Sequence, residues 1–210
     1  TMNKKQIVLI TQGSQAISLV RTLFSLGYKP NQMLVFTNED KKNKCFANFL
    51  DYYNIKTYFK INMFLIQDNA LVISYSNVHK ISINNNATFI NFHPGLLPKY
   101  KGSLSTVHSL INGEKEVGGT WHYMVDKIDC GSILYQFKII IGDNDTAFSL
   151  NHKIFNESLN CLKTVLEAVN SKVLGKKHKG GKFYYNKFPN ISNLDINLQE
   201  KIKYFPPNFI

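Results

Sequence analysis

The chain has 210 residues, enough for one ordinary domain with a short appendage, and 44% of them are hydrophobic, far from a disordered composition. Its formal charge of +11 invites a polyanionic partner, yet Arg21 is the only arginine, and arginine is the residue suited to bidentate phosphate and base recognition. Nucleic acid is therefore not expected as a partner, whereas small anionic ligands fit the charge equally well.

Thr1 precedes Met2 and is read as an addition to the natural chain. The apolar runs are of strand length, none approaches the roughly 18 continuous apolar residues of a membrane span, and no signal-peptide pattern opens the chain. The expectation is a cytoplasmic protein with no membrane partner. Cys45, Cys130 and Cys161 are odd in number and lack C-x-x-C spacing, which predicts reduced, partly buried thiols rather than a zinc or redox site.

Gln6 to Thr11 is a β-branched apolar run that predicts the first strand. Ile17, Leu19, Val20, Leu23, Phe24 and Leu26 follow at helical spacing, closed by Gly27. Met33 to Phe36 predicts a second strand, and Lys42 to Tyr53 a second helix with Phe46, Phe49 and Leu50 on one face. Ala70 to Ser74 and Thr88 to Asn91 predict the third and fourth strands. Strands alternating with helices at this length imply an α/β, Rossmann-like, mostly parallel sheet flanked by helices. The first turn offers one glycine, Gly13, instead of G-x-G-x-x-G, so no dinucleotide is expected.

Further on, Leu104 to Ile111 predicts a short helix, Thr120 to Val125 and Ile133 to Ile141 two strands, and Thr146 to Val173 one long helix with an apolar stripe from Phe148 to Leu166. His108 and His152 are expected on helix surfaces. The basic, glycine-containing loop Lys176 to Gly181 is the best boundary. It divides the chain into a catalytic domain over 2–175 and a short C-terminal extension over 176–210.

In an open α/β sheet, ligands bind at the carboxyl ends of the strands. Asn91 and His93 stand at the end of the fourth predicted strand, before Pro94-Gly95. A proline and a glycine there force a turn. An amide that stabilises an oxyanion and an imidazole that handles a proton suit acyl transfer. Asp129 or Asp126, in the later turn, supplies the carboxylate that would orient and charge-stabilise the histidine. His122 reads as a hydrogen-bonded supporting residue. His93, His122 and Cys130 match no metal-ligand spacing, so no metal is expected.

Asn91-Phe-His-Pro-Gly-Leu-Leu-Pro98, with Gly102 four residues on, resembles the signature of the formyltransferases that use N10-formyltetrahydrofolate, Asn-x-His-Pro-(Ser/Gly)-Leu-Leu-Pro. Asn112-Gly113, Gly118-x-Thr120-x-His122 and Ile128-Asp129-x-Gly131 fall where that family's second signature lies. The resemblance covers about residues 6 to 170. It implies the formyltransferase fold, a catalytic set of Asn91, His93 and Asp129, and N10-formyltetrahydrofolate as co-substrate. Ser74 to His79 resembles the family's pterin-lining loop, which implies cofactor contacts from Ser76, Asn77, Val78, Asp126 and Gly131.

Relatives formylate glycinamide ribonucleotide, initiator methionyl-tRNA or nucleotide-linked amino sugars, and another branch hydrolyses the cofactor. Phe183 to Asn190 and Lys201 to Pro207 resemble the ending of the sugar N-formyltransferases, although one basic residue is missing before Lys187. The 210 residues leave no room for the barrel of the RNA-directed relatives or the regulatory domain of the hydrolytic branch. The resemblance thus implies transfer to a dTDP- or UDP-linked dideoxy amino sugar destined for surface polysaccharide such as the O-antigen of lipopolysaccharide. Lys99, Lys101 and Lys187 are candidates for the pyrophosphate, and Tyr100, Tyr184 and Tyr185 for stacking on sugar or base. A homodimer through the extension is expected. The alternatives are glycinamide ribonucleotide formylation and, outside the enzymes, a basic RNA-binding α/β domain.

Overall fold

In the computed structural model the described residues are 5–37, 44–76, 81–83 and 86–203. Two compact units divide the chain, Thr1–Phe92 and His93–Ile210.

In the first unit, β1 (Ile7–Thr11) is buried at every position. Its apolar sequence lacks alternation because a parallel strand is covered on both faces. Helix α1 (Ser14–Ser25) buries Ala16, Leu19, Val20 and Leu23, the i, i+3, i+4, i+7 stripe of a helix lying on a core. Gly27, at φ 84, ends it: its N–H donates to the Phe24 carbonyl at 2.9 Å and the Tyr28 N–H to the Leu23 carbonyl at 3.0 Å. This reciprocal pair is a Schellman stop, which needs a left-handed residue at that point.

β2 (Met33–Phe36) is followed by α2 (Lys44–Tyr52), where Phe46 and Leu50 are buried. Residues 42 and 43 of the predicted helix lie outside the described residues. A short strand that the sequence does not announce, β3 (Lys56–Tyr58), lies at the edge, and its three residues are too few to show a period. β4 (Leu71–Tyr75) and β5 (Thr88–His93) are the remaining strands of this part of the sheet. Every pairing in this unit is parallel, in the order β3–β2–β1–β4–β5. Ser74 is paired with Asn91 in register, and β5 runs two residues beyond its predicted end.

The second unit contains β6 (Tyr100–Gly102), α3 (Ser105–Ile111), β7 (Glu116–Tyr123), β8 (Ile133–Ile140), α4 (Ala147–Asn160), α5 (Leu162–Asn170), β9 (Lys182–Tyr184) and α6 (Ile196–Lys203). β7 and β8 are antiparallel, while β6 and β9 form a separate parallel pair that the sequence does not reveal. Helix α4 packs against β7, and α5 against β8. The Rossmann-like, mostly parallel sheet with flanking helices expected from the sequence is therefore present.

The helix predicted as continuous over Thr146–Val173 is interrupted at Cys161. The Ser158 carbonyl, which a continuous helix would use for its own ladder, accepts the Trp121 indole N–H at 3.1 Å and the Cys161 thiol at 3.3 Å. Side-chain donors inserted into a helix ladder break or bend it. Phe148, predicted on the buried stripe, is instead 37% exposed, lying edge-on to the exposed His152.

Cys45 is exposed, Cys130 half-buried and Cys161 buried. Burial pushes the Cys161 thiol up to about 11, against a smaller opposing effect of Trp121. Since the thiolate is the reactive form, a thiol reagent at neutral pH is expected to modify Cys45 quickly and Cys161 only once the protein unfolds. Equally fast modification of Cys161 in the native protein would contradict this packing.

Candidate active site

Pro94 lacks an N–H and ends β5 immediately after His93. The chain then turns closely over the His93 ring, and a Cβ at Gly95 would lie only 2.6 Å from both His93 Nε2 and Ser105 Oγ. Thr120 of β7 fixes this turn. Its hydroxyl donates to the Gly95 carbonyl at 2.7 Å and accepts the Leu97 N–H at 3.3 Å. Gln136 of β8 adds bonds from its amide to the Leu97 carbonyl (3.0 Å) and to Thr120 Oγ1 (2.9 Å).

Beside this turn is a buried carboxylate with a histidine on each oxygen. Asp129 Oδ2 accepts the Gly102 N–H at 2.7 Å and faces His93 Nδ1 at 3.5 Å. Its Oδ1 faces His122 Nε2, also at 3.5 Å. His93, His122 and Asp129 are only 3%, 2% and 7% exposed. Asp129 is held at φ 52, a left-handed conformation that Asp and Asn adopt more readily than most residues.

The other nitrogen of each ring meets a backbone carbonyl: His93 Nε2 meets Tyr100 O at 2.5 Å, and His122 Nδ1 meets Tyr123 O at 2.7 Å. A carbonyl only accepts, so each of these nitrogens carries a proton. Were both rings neutral, two bare lone pairs would face one carboxylate. The arrangement therefore suits at least one doubly protonated ring beside an ionised Asp129. Burial alone would raise the Asp129 carboxyl. The charge of His93, the hydrogen bond and charge of His122, and the Gly102 N–H outweigh it and hold the group well below the usual carboxylate range.

Between the two carboxylates left open by sequence, Asp129 takes this place, and Asp126 is exposed. Asn91 is half-buried and belongs to the first unit; two residues before His93 on β5, it shares a strand face with it. Ser76 ends the described part of its loop at φ 52, and Asn77 and Val78 lie outside the described residues. At Gly131 a Cβ would come within 1.7 Å of the Tyr123 carbonyl, so this glycine lets the turn approach the end of β7.

The six candidates for substrate fall in different surroundings. Lys99 is exposed and paired with Glu114 at 2.5 Å, which holds the Glu114 carboxyl low. Tyr100 is buried and its hydroxyl donates to Glu114 at 2.7 Å; burial first, and then Glu114, push it up to about 12, although the Asn112 amide opposes them. Lys101 is buried with its ammonium 3.4 Å from Cys130 Sγ. Tyr184 is half-buried, while Tyr185 and Lys187 are exposed.

Two residues take places that sequence reasoning did not assign. His108, expected on the surface, is half-buried, its ring stacked 4.0 Å from that of Tyr184. His178, in the basic loop, has Nε2 3.0 Å from the Gly131 carbonyl. Nothing local marks either residue, because each partner comes from a distant segment. Among the described residues no group of three or more His, Cys, Asp or Glu is arranged to hold a metal ion.

Residues 71–166, which contain this histidine–carboxylate cluster, match the family model described as formyl transferase. Over 126 residues the chain is 33% identical to a GDP-perosamine N-formyltransferase of Brucella melitensis, an alignment covering 56% of this chain and 49% of that protein. The chain thus spans about half the length of the curated relatives it matches. In fold it is similar to WlaRD, a sugar 3N-formyl transferase whose crystal structure was obtained in the presence of dTDP and 5-N-formyl-THF. The TM-score is 0.77 at 22% identity, covering 89% of this chain and 72% of that one. It is likewise similar to an N-formyltransferase of Helicobacter canadensis in complex with folinic acid and dTDP-3-aminofucose. That TM-score is 0.77 at 18% identity, covering 94% of this chain and 79% of that one. Among the described residues no helix is long and apolar enough to cross a membrane.

Proposed function

We propose that the chain is a formyl transferase and moves a formyl group from N10-formyltetrahydrofolate to the amine of a nucleotide-linked amino sugar. The observation that carries the proposal is the buried His93–Asp129–His122 cluster, in which one carboxylate holds the proton-bearing rings. Its chemistry fits a formyl donor: an amide for a developing oxyanion and a histidine–carboxylate pair for a proton. When bound, the folate supplies an electrophilic formyl carbon attached to a nitrogen leaving group.

Asn91 donates its amide N–H to the formyl oxygen as negative charge builds there. His93, doubly protonated beside Asp129, adds its positive charge to the stabilisation of that oxygen. As the amine's bond to the formyl carbon forms and the folate nitrogen's bond to it breaks, Asp129 keeps the imidazolium in place and takes part in relaying the amine's proton to the departing folate nitrogen. His122 holds the second carboxylate oxygen, which fixes the carboxylate plane. Pterin contacts from Ser76, Asn77, Val78, Asp126 and Gly131 are what the family resemblance implies.

The acceptor class is supported by the relatives named above and by the likeness of Phe183 to Asn190 to the ending of sugar N-formyltransferases. Residues 2–175 then carry the chemistry and 176–210 serve acceptor binding and self-association as a homodimer. Lys99, Tyr185 and Lys187, which are exposed, are the residues assigned to the nucleotide sugar in this reading. A dTDP- or UDP-linked dideoxy sugar, a cytoplasmic location and a role in O-antigen or other surface polysaccharide complete the reading.

The test is a spectroscopic assay of tetrahydrofolate release with a panel of dTDP-, UDP- and GDP-linked amino sugars, glycinamide ribonucleotide in parallel. Turnover with a nucleotide sugar is expected. Turnover only with glycinamide ribonucleotide would overturn the acceptor, and salt-sensitive RNA binding without formyl transfer would overturn the enzyme.

A further inference from the structure

Both catalytic side chains of the second unit lean on the backbone of one three-residue strand. His93 Nε2 meets the Tyr100 carbonyl, and Asp129 Oδ2 accepts the Gly102 N–H. So β6 sets where the ring and the carboxylate stand. By itself a strand of three residues has little to hold it.

What holds it comes from the far end of the chain. β9 pairs with β6 in parallel, with Tyr100 opposite Lys182, Lys101 opposite Phe183 and Gly102 opposite Tyr184. The Lys182 N–H donates to the Lys99 carbonyl at 3.3 Å and the Ser103 N–H to the Tyr184 carbonyl at 2.9 Å. The approach depends on missing side chains: a Cβ at Gly102 would lie 2.1 Å from the Tyr184 carbonyl oxygen, and one at Gly181 only 1.6 Å from that of Pro98. Tyr184 then locks the pair. Its ring stacks on Tyr100 (centroids 5.6 Å apart, planes 20° apart) and on His108 (4.0 Å, 27°). Its hydroxyl accepts from the Asn112 amide at 3.3 Å. A second tie, from His178 Nε2 to the Gly131 carbonyl, joins the same C-terminal segment to the turn that bears Asp129.

From this arrangement we infer that Tyr184 is a positioning residue for formyl transfer, acting through β6 on His93 and Asp129 instead of touching the acceptor. The inference rests on the proposed function for its kinetic arm only. The ring is already committed to Tyr100 and His108, so its work is to fix a backbone carbonyl and a backbone N–H on which the proton chemistry depends. Small displacements of such groups are costly, since about 1 Å of misplacement can cost on the order of a hundredfold in rate.

The experiment compares wild type with Tyr184→Ala, Tyr184→Phe and His108→Ala. It measures kcat and KM for both substrates, with melting temperatures and ¹⁵N-histidine spectra of the ring nitrogens. Tyr184→Ala is expected to lower kcat by about tenfold to a hundredfold with KM for the acceptor within about twofold, and to shift the His93 resonances. Tyr184→Phe keeps the stacked ring and is expected to restore kcat and the spectrum. His108→Ala removes one stacking partner and should move both in the same direction by a smaller amount, which keeps the test open if Tyr184→Ala does not fold. A rise in acceptor KM with kcat and His93 resonances unchanged would overturn the inference and make Tyr184 a binding residue. If wild type shows no formyl transfer, the proposed function fails, while the histidine spectra still decide whether Tyr184 orients His93.

Discussion

Asp129→Asn is expected to cut formyl transfer by about 10²–10⁴, the usual loss of a positioned proton-transfer group, while the protein stays folded. The substitution suits the question because it changes charge and little else. Asparagine tolerates the left-handed backbone at this position nearly as well as aspartate, and its amide oxygen can still accept the Gly102 N–H. It cannot offer a negative charge to both His93 and His122. Single-turnover rates with saturating substrates, beside thermal melts, measure the two effects separately. Turnover within a few-fold of wild type would remove Asp129 from the mechanism.

The same variant has a pH signature with a determined sign. The Asp129 carboxyl is held below its unfolded value of about 3.9. A depressed carboxyl contributes stability that is fully present above the unfolded value and is lost as pH falls toward the folded one. Wild type should therefore lose melting temperature more steeply than Asp129→Asn as pH drops below about 4. Parallel acid profiles for the two proteins would mean that the carboxylate is not held by its histidines.

Gly102→Ala should damage fold and chemistry together. Gly102 lies at φ 85, where an L-residue costs about 1–2 kcal/mol, and its added Cβ would meet the Tyr184 carbonyl at 2.1 Å. Overpacking of this kind costs a further 1–3 kcal/mol, roughly. Together these lower the melting temperature by about 5–15 °C for a chain of this size. The same methyl displaces the N–H that Asp129 accepts, so turnover should fall even at temperatures where the protein remains folded. Gly113→Ala is the matched control. Gly113 has a similar φ of 68 but nothing within 4 Å of an added Cβ. It should show the backbone cost alone, with turnover unchanged. Equal losses of stability in the two variants would deny the close approach of β6 and β9.

What could be read from the sequence follows from how far apart the interacting residues are. β1, β2 and β4 are legible because strands covered on both faces are almost wholly apolar, β5 from its Phe89-Ile90 pair ahead of the Pro94-Gly95 turn, and the stop at Gly27 because its cap is made within five residues. The pairing of Tyr100–Gly102 with Lys182–Tyr184 is not legible: two three-residue strands far apart in sequence show neither period nor turn signal. The break at Cys161 escapes for the same reason, since the Trp121 indole that helps to cause it comes from another element. At the site, the end of a strand marked by Pro94-Gly95 brings Asn91 and His93 forward, but local chemistry left Asp126 and Asp129 equal. Only the family motif favoured Asp129, and in the structure it is Asp129 that is buried between two rings. His178 gives no signal in sequence because its partner is the carbonyl of Gly131.

β7 serves two masters along three consecutive residues. Thr120 and His122 reach the turn over His93 and the carboxylate, while Trp121, between them, hydrogen-bonds to Ser158 of α4. A strand shifted by one residue exchanges its two faces, which would send the indole to the side of the histidine–carboxylate cluster and an imidazole to the helix side. No slipped form of β7 can keep the core and lose only the chemistry. The histidine–carboxylate cluster and native packing should therefore disappear at the same denaturant concentration, so that the proposed formyl transfer would count correctly registered molecules directly.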